Sequence, residues 1–182
     1  NKGYGNAVTT SRDVTDRAYA CQVLLSLCET VGMRLRRDGQ AGSCVTIQLR
    51  TSEFETWSHQ MRLASATNVT GELYQAACSL LDQAWDRKTP LRQLGVSVTQ
   101  LADGTLRQYS LFDAADYARQ EKLDTAVDAL REKFGEGALF RAALLHSDER
   151  MAGGLHKKRR TGITKPIEDE AARIRKKYGN DD

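Results

Sequence analysis

A chain of 182 residues, 40% of them hydrophobic, allows one domain with a real core and a small appendage. Its net charge of +3 is only a weak pull on anionic partners. No apolar run is long enough for a membrane-spanning helix and no signal peptide is recognisable, so a cytoplasmic protein with no membrane partner is expected.

Charge is unevenly spread. Residues 1–145 carry 17 cationic and 17 anionic side chains, whereas residues 146–182 carry 10 and 7. Any nucleic-acid binding by the body must therefore depend on where its charges sit. The chain does not begin with Met, and Asn1-Lys2-Gly3 has the character of mid-chain sequence, so a piece of a longer protein is expected.

Gly3 to Thr10 reads as a strand. Asn6, Thr9 and Thr10 are neutral donors there, and Gly3 and Gly5 let another backbone approach closely. Asp13 is the predicted N-cap of a helix running to about Arg37. Val14, Ala18, Cys21, Leu24, Leu25, Cys28, Val31 and Leu35 recur along it at helical spacing. Basic residues in its last turn complement the dipole, and Gly39 suits the position after the cap.

Ser43 to Ala64 then reads as a hairpin around a Thr51–Glu55 loop. Alternation puts Val45, Ile47, Leu49, Trp57, Met61 and Leu63 on one face. It puts Thr46, Gln48, Arg50, Thr56, Ser58, Gln60 and Arg62 on the other. The second face has no acid and offers hydroxyls, amides and guanidiniums, which suit phosphates. An ordinary solvated sheet face would look the same.

A second helix is predicted from Thr70 to about Asp86, with a stripe from Leu73 to Trp85. Leu91 to Leu101 is the next strand, with Leu94, Val96 and Val98 opposed to Gln93, Gly95, Ser97 and Thr99. The order β-α-β-β-α-β predicts an α+β, ferredoxin-like fold, a four-stranded antiparallel sheet with two helices on one face and the other face bare. A C-terminal helical extension follows.

Gln108-Tyr109-Ser110-Leu111-Phe112 is a polar stretch ending in Leu-Phe, set either to pack beneath the next helix or to be exposed. That third helix starts at Asp113 and carries Tyr117, Leu123, Ala126, Val127, Leu130 and Phe134. Leu139 to Leu145 reads as a last short strand or a tether. The tail holds His156-Lys157-Lys158-Arg159-Arg160 and a segment whose charges follow a helix dipole, Glu168 to Lys177. The expected units are 1–112, 113–145 and 146–182. None of the four cysteines has Cys-x-x-Cys spacing, so buried thiols and no metal site are expected.

Several stretches together resemble the C-terminal part of Y-family DNA polymerases, the low-fidelity translesion class that includes DNA polymerases IV and V. They are Lys2-Gly3-Tyr4-Gly5-Asn6 with Thr9-Thr10-Ser11-Arg12-Asp13-Val14, Arg34-Leu35-Arg36-Arg37-Asp38-Gly39, and Pro90-Leu91-Arg92-Gln93-Leu94-Gly95-Val96. The Gln-Tyr-Ser-Leu-Phe stretch, the Lys-Leu-Asp-Thr-Ala helix and Lys133-Phe134-Gly135 resemble the bacterial branch. The likeness covers roughly residues 2–145.

The resemblance implies a little-finger domain that grips primer–template phosphates during translesion synthesis in DNA repair. By position it implies DNA contacts from Asn6, Thr9, Thr10, Ser58, His59, Gln60, Arg62 and Arg92. It implies that Gln108, Tyr109, Ser110, Leu111 and Phe112 bind the sliding clamp. The catalytic acids and their Mg2+ are implied for the palm of the parent polymerase, with its fingers and thumb, so this chain alone should need no cofactor and should not polymerise DNA. The rival readings are a non-catalytic α+β interaction domain and an RNA-binding module.

Overall fold

A computed structural model describes residues 2–104, 114–135 and 138–144. The elements are β1 (Gly3–Val14), α1 (Arg17–Arg37), β2 (Gln40–Thr51), β3 (Thr56–Thr67), α2 (Thr70–Ala84), β4 (Leu91–Asp103) and α3 (Ala114–Phe134). A 3-10 turn at Ala142–Leu144 follows. The α+β class and the β-α-β-β-α-β order are as expected. All neighbouring strands are antiparallel, in the order β1-β4-β2-β3.

That strand order departs from the ferredoxin-like one, in which the first and third strands are central. Here β2 and β4 are central, and their composition explains it. Val45, Ile47 and Leu49 of β2 and Leu94, Val96 and Val98 of β4 are all buried. β1 begins with two glycines and β3 carries exposed Ser58, His59 and Gln60, so these two strands form the edges.

α1 and α2 cover one face of the sheet. Leu24, Leu27 and Leu35 of α1 and Leu73, Leu80 and Leu81 of α2 are fully or almost fully buried against it. Truncating any one of them to Ala should cost about 2–5 kcal/mol. Trp57 sits at the edge of this layer and donates its indole N–H to the Ala84 carbonyl at 3.1 Å.

Asp13 is not the N-cap of α1. β1 runs on through it, because Val14 pairs with Leu91 beyond an irregularity in the ladder. Asp16 caps the helix instead, accepting the Tyr19 N–H at 3.0 Å. At the other end Gly39 takes a φ of +64°, the left-handed turn that favours glycine.

α3 docks through one residue of its expected apolar stripe, Tyr117, and otherwise through charged residues that its sequence pattern would put outside. Leu123, Leu130 and Phe134 are exposed, whereas Tyr117, Asp124 and Arg131 are buried. Asp124 and Asp128 hold Arg36 of α1 (3.2 and 2.7 Å), and Arg131 reaches Glu29 of α1 (3.3 Å). Arg141 joins them, to Glu29 at 2.8 Å and to Asp124 at 2.7 Å. Polar attraction between buried partners therefore sets this helix's orientation in place of an apolar stripe. The segment after it forms no strand among the described residues; Ala142–Leu144 is a turn. The Gln108–Phe112 stretch and the basic tail lie outside the described residues.

Candidate nucleic-acid interface

Directly paired residues in a ladder share a face, so the register assigns every strand side chain to a side. Four rows cross the sheet on the side away from α1 and α2. They are Gly3-Thr99-Cys44-Arg62, Gly5-Ser97-Thr46-Gln60, Ala7-Gly95-Gln48-Ser58 and Thr9-Gln93-Arg50-Thr56. None of these residues is acidic or aromatic.

The β1 side of this face is nearly free of side chains. Gly5, Ala7 and Gly95 floor a shallow hollow of about 380 Å3, with Thr46, Gln48 and Ser97 around it. A Cβ added at Gly95 would lie 3.1 Å from the Ala7 Cβ, and one at Gly5 would lie 3.1 Å from the Ser97 Cβ. Backbone is therefore within reach of an incoming group here, with hydroxyls and amides at its margin. The β3 side carries the longer polar side chains.

The structure divides the candidate residues. Thr9, Ser58, Gln60 and Arg62 are exposed on the open face. Among the described residues Arg62 has no ion pair. Asn6 and His59 sit on the other side, in a row with Val96 and Ile47. Asn6 turns its Oδ1 back to the Ala7 N–H at 3.0 Å. Thr10 is 2% exposed and donates its hydroxyl to the Arg92 carbonyl at 3.0 Å, so it is spent within the fold.

Arg92 is already engaged, donating to the Ser11 carbonyl at 3.2 Å and lying 3.6 Å from Asp13. The arginines that end α1 are likewise occupied. Arg34 donates to the Gly5 carbonyl at 2.9 Å, Arg36 lies in the α3 network, and Arg37 pairs with Asp38. Asp38 also accepts the Tyr4 hydroxyl at 2.7 Å, which with Arg37 holds its carboxyl below the usual range.

Arg50 is the cation that the candidate set omits. It stands on the open face, stacks over the Phe54 ring at 4.5 Å and bonds the Gln93 amide at 3.4 Å. Its Nε is buried without a hydrogen-bond partner. Gln48, Gln93, Ser97 and Thr99 were omitted too. The alternation that marks β2 and β4 puts all of them on this face.

The sequence model of the impB/mucB/samB family C-terminal domain matches residues 1–111. The chain belongs to this family. Residues 1–111 are that family's C-terminal domain, the region in which the chain resembles the little finger of Y-family DNA polymerases. DNA polymerase IV of Clostridium acetobutylicum is 34% identical over 149 residues, covering 82% of this chain and 37% of that protein. DNA polymerase IV 2 of Bacillus subtilis is 35% identical over 148 residues, 79% of this chain and 35% of its own length. The chain thus spans well under half the length of these curated relatives. Among solved structures, a little finger of PolIV in complex with the beta-clamp processivity factor is similar at 18% identity and a TM-score of 0.46. That likeness covers 60% of this chain and 97% of the other.

Proposed function

We propose that the open face of this little finger holds the phosphate backbones of primer–template DNA without reading sequence, in the service of a parent Y-family DNA polymerase that bypasses damaged templates. The observation that carries this reading is the composition of the face. Its rows hold hydroxyls, amides, glycines and two arginines, and no carboxylate. Neutral donors and backbone amides position a duplex but carry no sequence information. Arg62 and Arg50 supply charge-assisted bonds, which are roughly twice as strong as neutral ones. Arg92 contributes less than its sequence position implies, because Ser11 and Asp13 already occupy it.

The RNA-binding alternative needs aromatic rings on the sheet to stack bases. The four rows offer none, and Trp57 faces α2. Among the described residues no cluster of three or more His, Cys, Asp or Glu side chains is set to hold a metal ion. The family resemblance, and not that observation, is the ground on which we assign nucleotidyl transfer, its Mg2+ and the palm, fingers and thumb to a parent polymerase.

The second part of the proposal concerns the connection between β4 and α3. Gln108–Phe112 would dock on a sliding clamp, with Leu111 and Phe112 filling an apolar pocket and Gln108 orienting the strand. The support is the pentapeptide itself.

The test is binding of primer–template duplexes of unrelated sequence, titrated across salt. The expected result is equal affinity for each sequence and a steep log–log salt slope of about −0.9 per phosphate contacted. Binding to one sequence only, or a flat salt response, would overturn the reading.

A further inference from the structure

Cys21 of α1 and Cys78 of α2 have no part in the open face. Their sulfurs lie 3.4 Å apart, with the Cys78 S–H donating to Cys21. Cys21 is 6% exposed and Cys78 is half-buried, so a small solute reaches the pair past Cys78. Arg17 and the Tyr74 hydroxyl face the same sulfurs, and Asp82 holds Arg17 in place at 2.6 Å.

We propose that Cys21 and Cys78 form a peroxide-oxidisable dithiol, which closes into a disulfide clasp between α1 and α2. A disulfide needs its sulfurs about 2.05 Å apart, so the pair must close by roughly 1.4 Å, within the reach of side-chain rotation. The roles of the two sulfurs follow from their surroundings. The Cys78 S–H and then the Arg17 guanidinium draw the Cys21 thiol down to about 7, against burial and Asp82. Sharing its proton with Cys21, and burial, push Cys78 up. Cys21 is therefore the attacking thiolate.

The step balances. The Cys21 thiolate attacks one oxygen of hydrogen peroxide, the O–O bond breaks, and hydroxide leaves as water after taking a proton. Cys21 is now a sulfenic acid. With the thiolate gone, the main influence raising Cys78 is gone too. The Cys78 sulfur then attacks the Cys21 sulfur, the S–O bond breaks, and the departing hydroxide with the Cys78 proton makes a second water. Two thiols lose two electrons and one peroxide gains them. Cys28 is fully buried and burial pushes its thiol up, so it stays out. Cys44 lies on the opposite face of the sheet.

The test treats the whole chain with a small excess of hydrogen peroxide, then counts thiols after denaturation and maps the linked peptides. Titratable thiols should fall from four to two. The link should join Cys21 to Cys78 within one chain. The melting temperature should rise by several degrees and return with dithiothreitol, since a cross-link restricts the unfolded chain. Cys44→Ser should behave as the parent chain does. Cys78→Ser should leave a sulfenic acid on Cys21 that dimedone traps. A link through Cys28 or Cys44, a link between chains, or four intact thiols at that dose would overturn the proposal. The peptide map of the unsubstituted chain decides even if a variant does not fold.

Discussion

Asp124 Oδ2 of α3 accepts the backbone N–H of Thr70, the first residue of α2, at 2.8 Å. Val69 sits at the N-cap of α2 without a side-chain bond, so the cap comes from a helix more than fifty residues away. The same carboxylate holds Arg36 and Arg141. Asp124→Ala removes the cap and leaves two guanidiniums short of a partner. The expected cost is about 3–5 kcal/mol, as for breaking a buried pair. Urea unfolding at unchanged slope would measure it, and Asp124→Asn, which keeps an acceptor for Thr70, should cost less.

Arg62→Ala should weaken every duplex alike and lower the salt slope by about 0.9. Arg92→Ala should change the slope less, because Asp13 and Ser11 hold that side chain. Fluorescence anisotropy at several salt concentrations compares the two. A larger loss for Arg92 would count against the open face as the site.

Thr46→Glu places a carboxylate beside the glycine-floored hollow. Duplex affinity should fall by tenfold or more through repulsion of phosphate, while the melting temperature moves little, since Thr46 is only half-buried. Equal affinity in both proteins would show that DNA does not lie against the central strands.

Leu111→Ala with Phe112→Ala should abolish binding to a sliding clamp and leave cooperative unfolding and duplex binding intact. Surface-immobilised clamp gives the first readout and thermal melting the second. A collapse of the melt would make these two residues part of the core.

Acid should loosen the outer side of α1 and α2. The Arg17 guanidinium, through its hydrogen bond, holds Asp82 at about 2, with Arg87 assisting, whereas an unfolded aspartate titrates near 3.9. A folded value below the unfolded one stabilises the protein above about pH 4, and that stability is lost as pH falls toward 2. Asp38, lowered by Tyr4, acts in the same direction. Asp82→Asn should therefore flatten the fall in melting temperature between pH 4 and 2. The effect is small because both partners are largely in solvent.

Period-two alternation made β2, β3 and β4 legible, and helical spacing did the same for α2, whose stripe from Leu73 to Trp85 is buried as read. The failures share one physical origin, which is that partners far apart in sequence leave no local pattern. Glu29 and Arg36 decide that Asp124 and Arg131 go inward on α3, and no stretch of α3 announces it. Val14 reaching Leu91 extends β1 past Asp13, the expected cap.

The candidate site was legible where alternation was applied and lost where it was not. Ser58, His59 and Gln60 are consecutive in a strand, so they cannot all point one way. The same rule separates Thr9 from Thr10. Arg50 and Gln48 were visible on the polar face from the start. Their place in the central rows depends on the strand order, which the sequence does not carry.

The mode of α3's attachment has a consequence for how the chain comes apart. The sheet and its two covering helices are cemented by hydrocarbon and should melt as one cooperative block. α3 is held by alternating plus and minus charges and leaves Leu123, Leu130 and Phe134 in water. Loss of α3 would also strip Thr70 of its cap, so the first turn of α2 should exchange its amide hydrogens together with α3, ahead of the strands at the centre of the block.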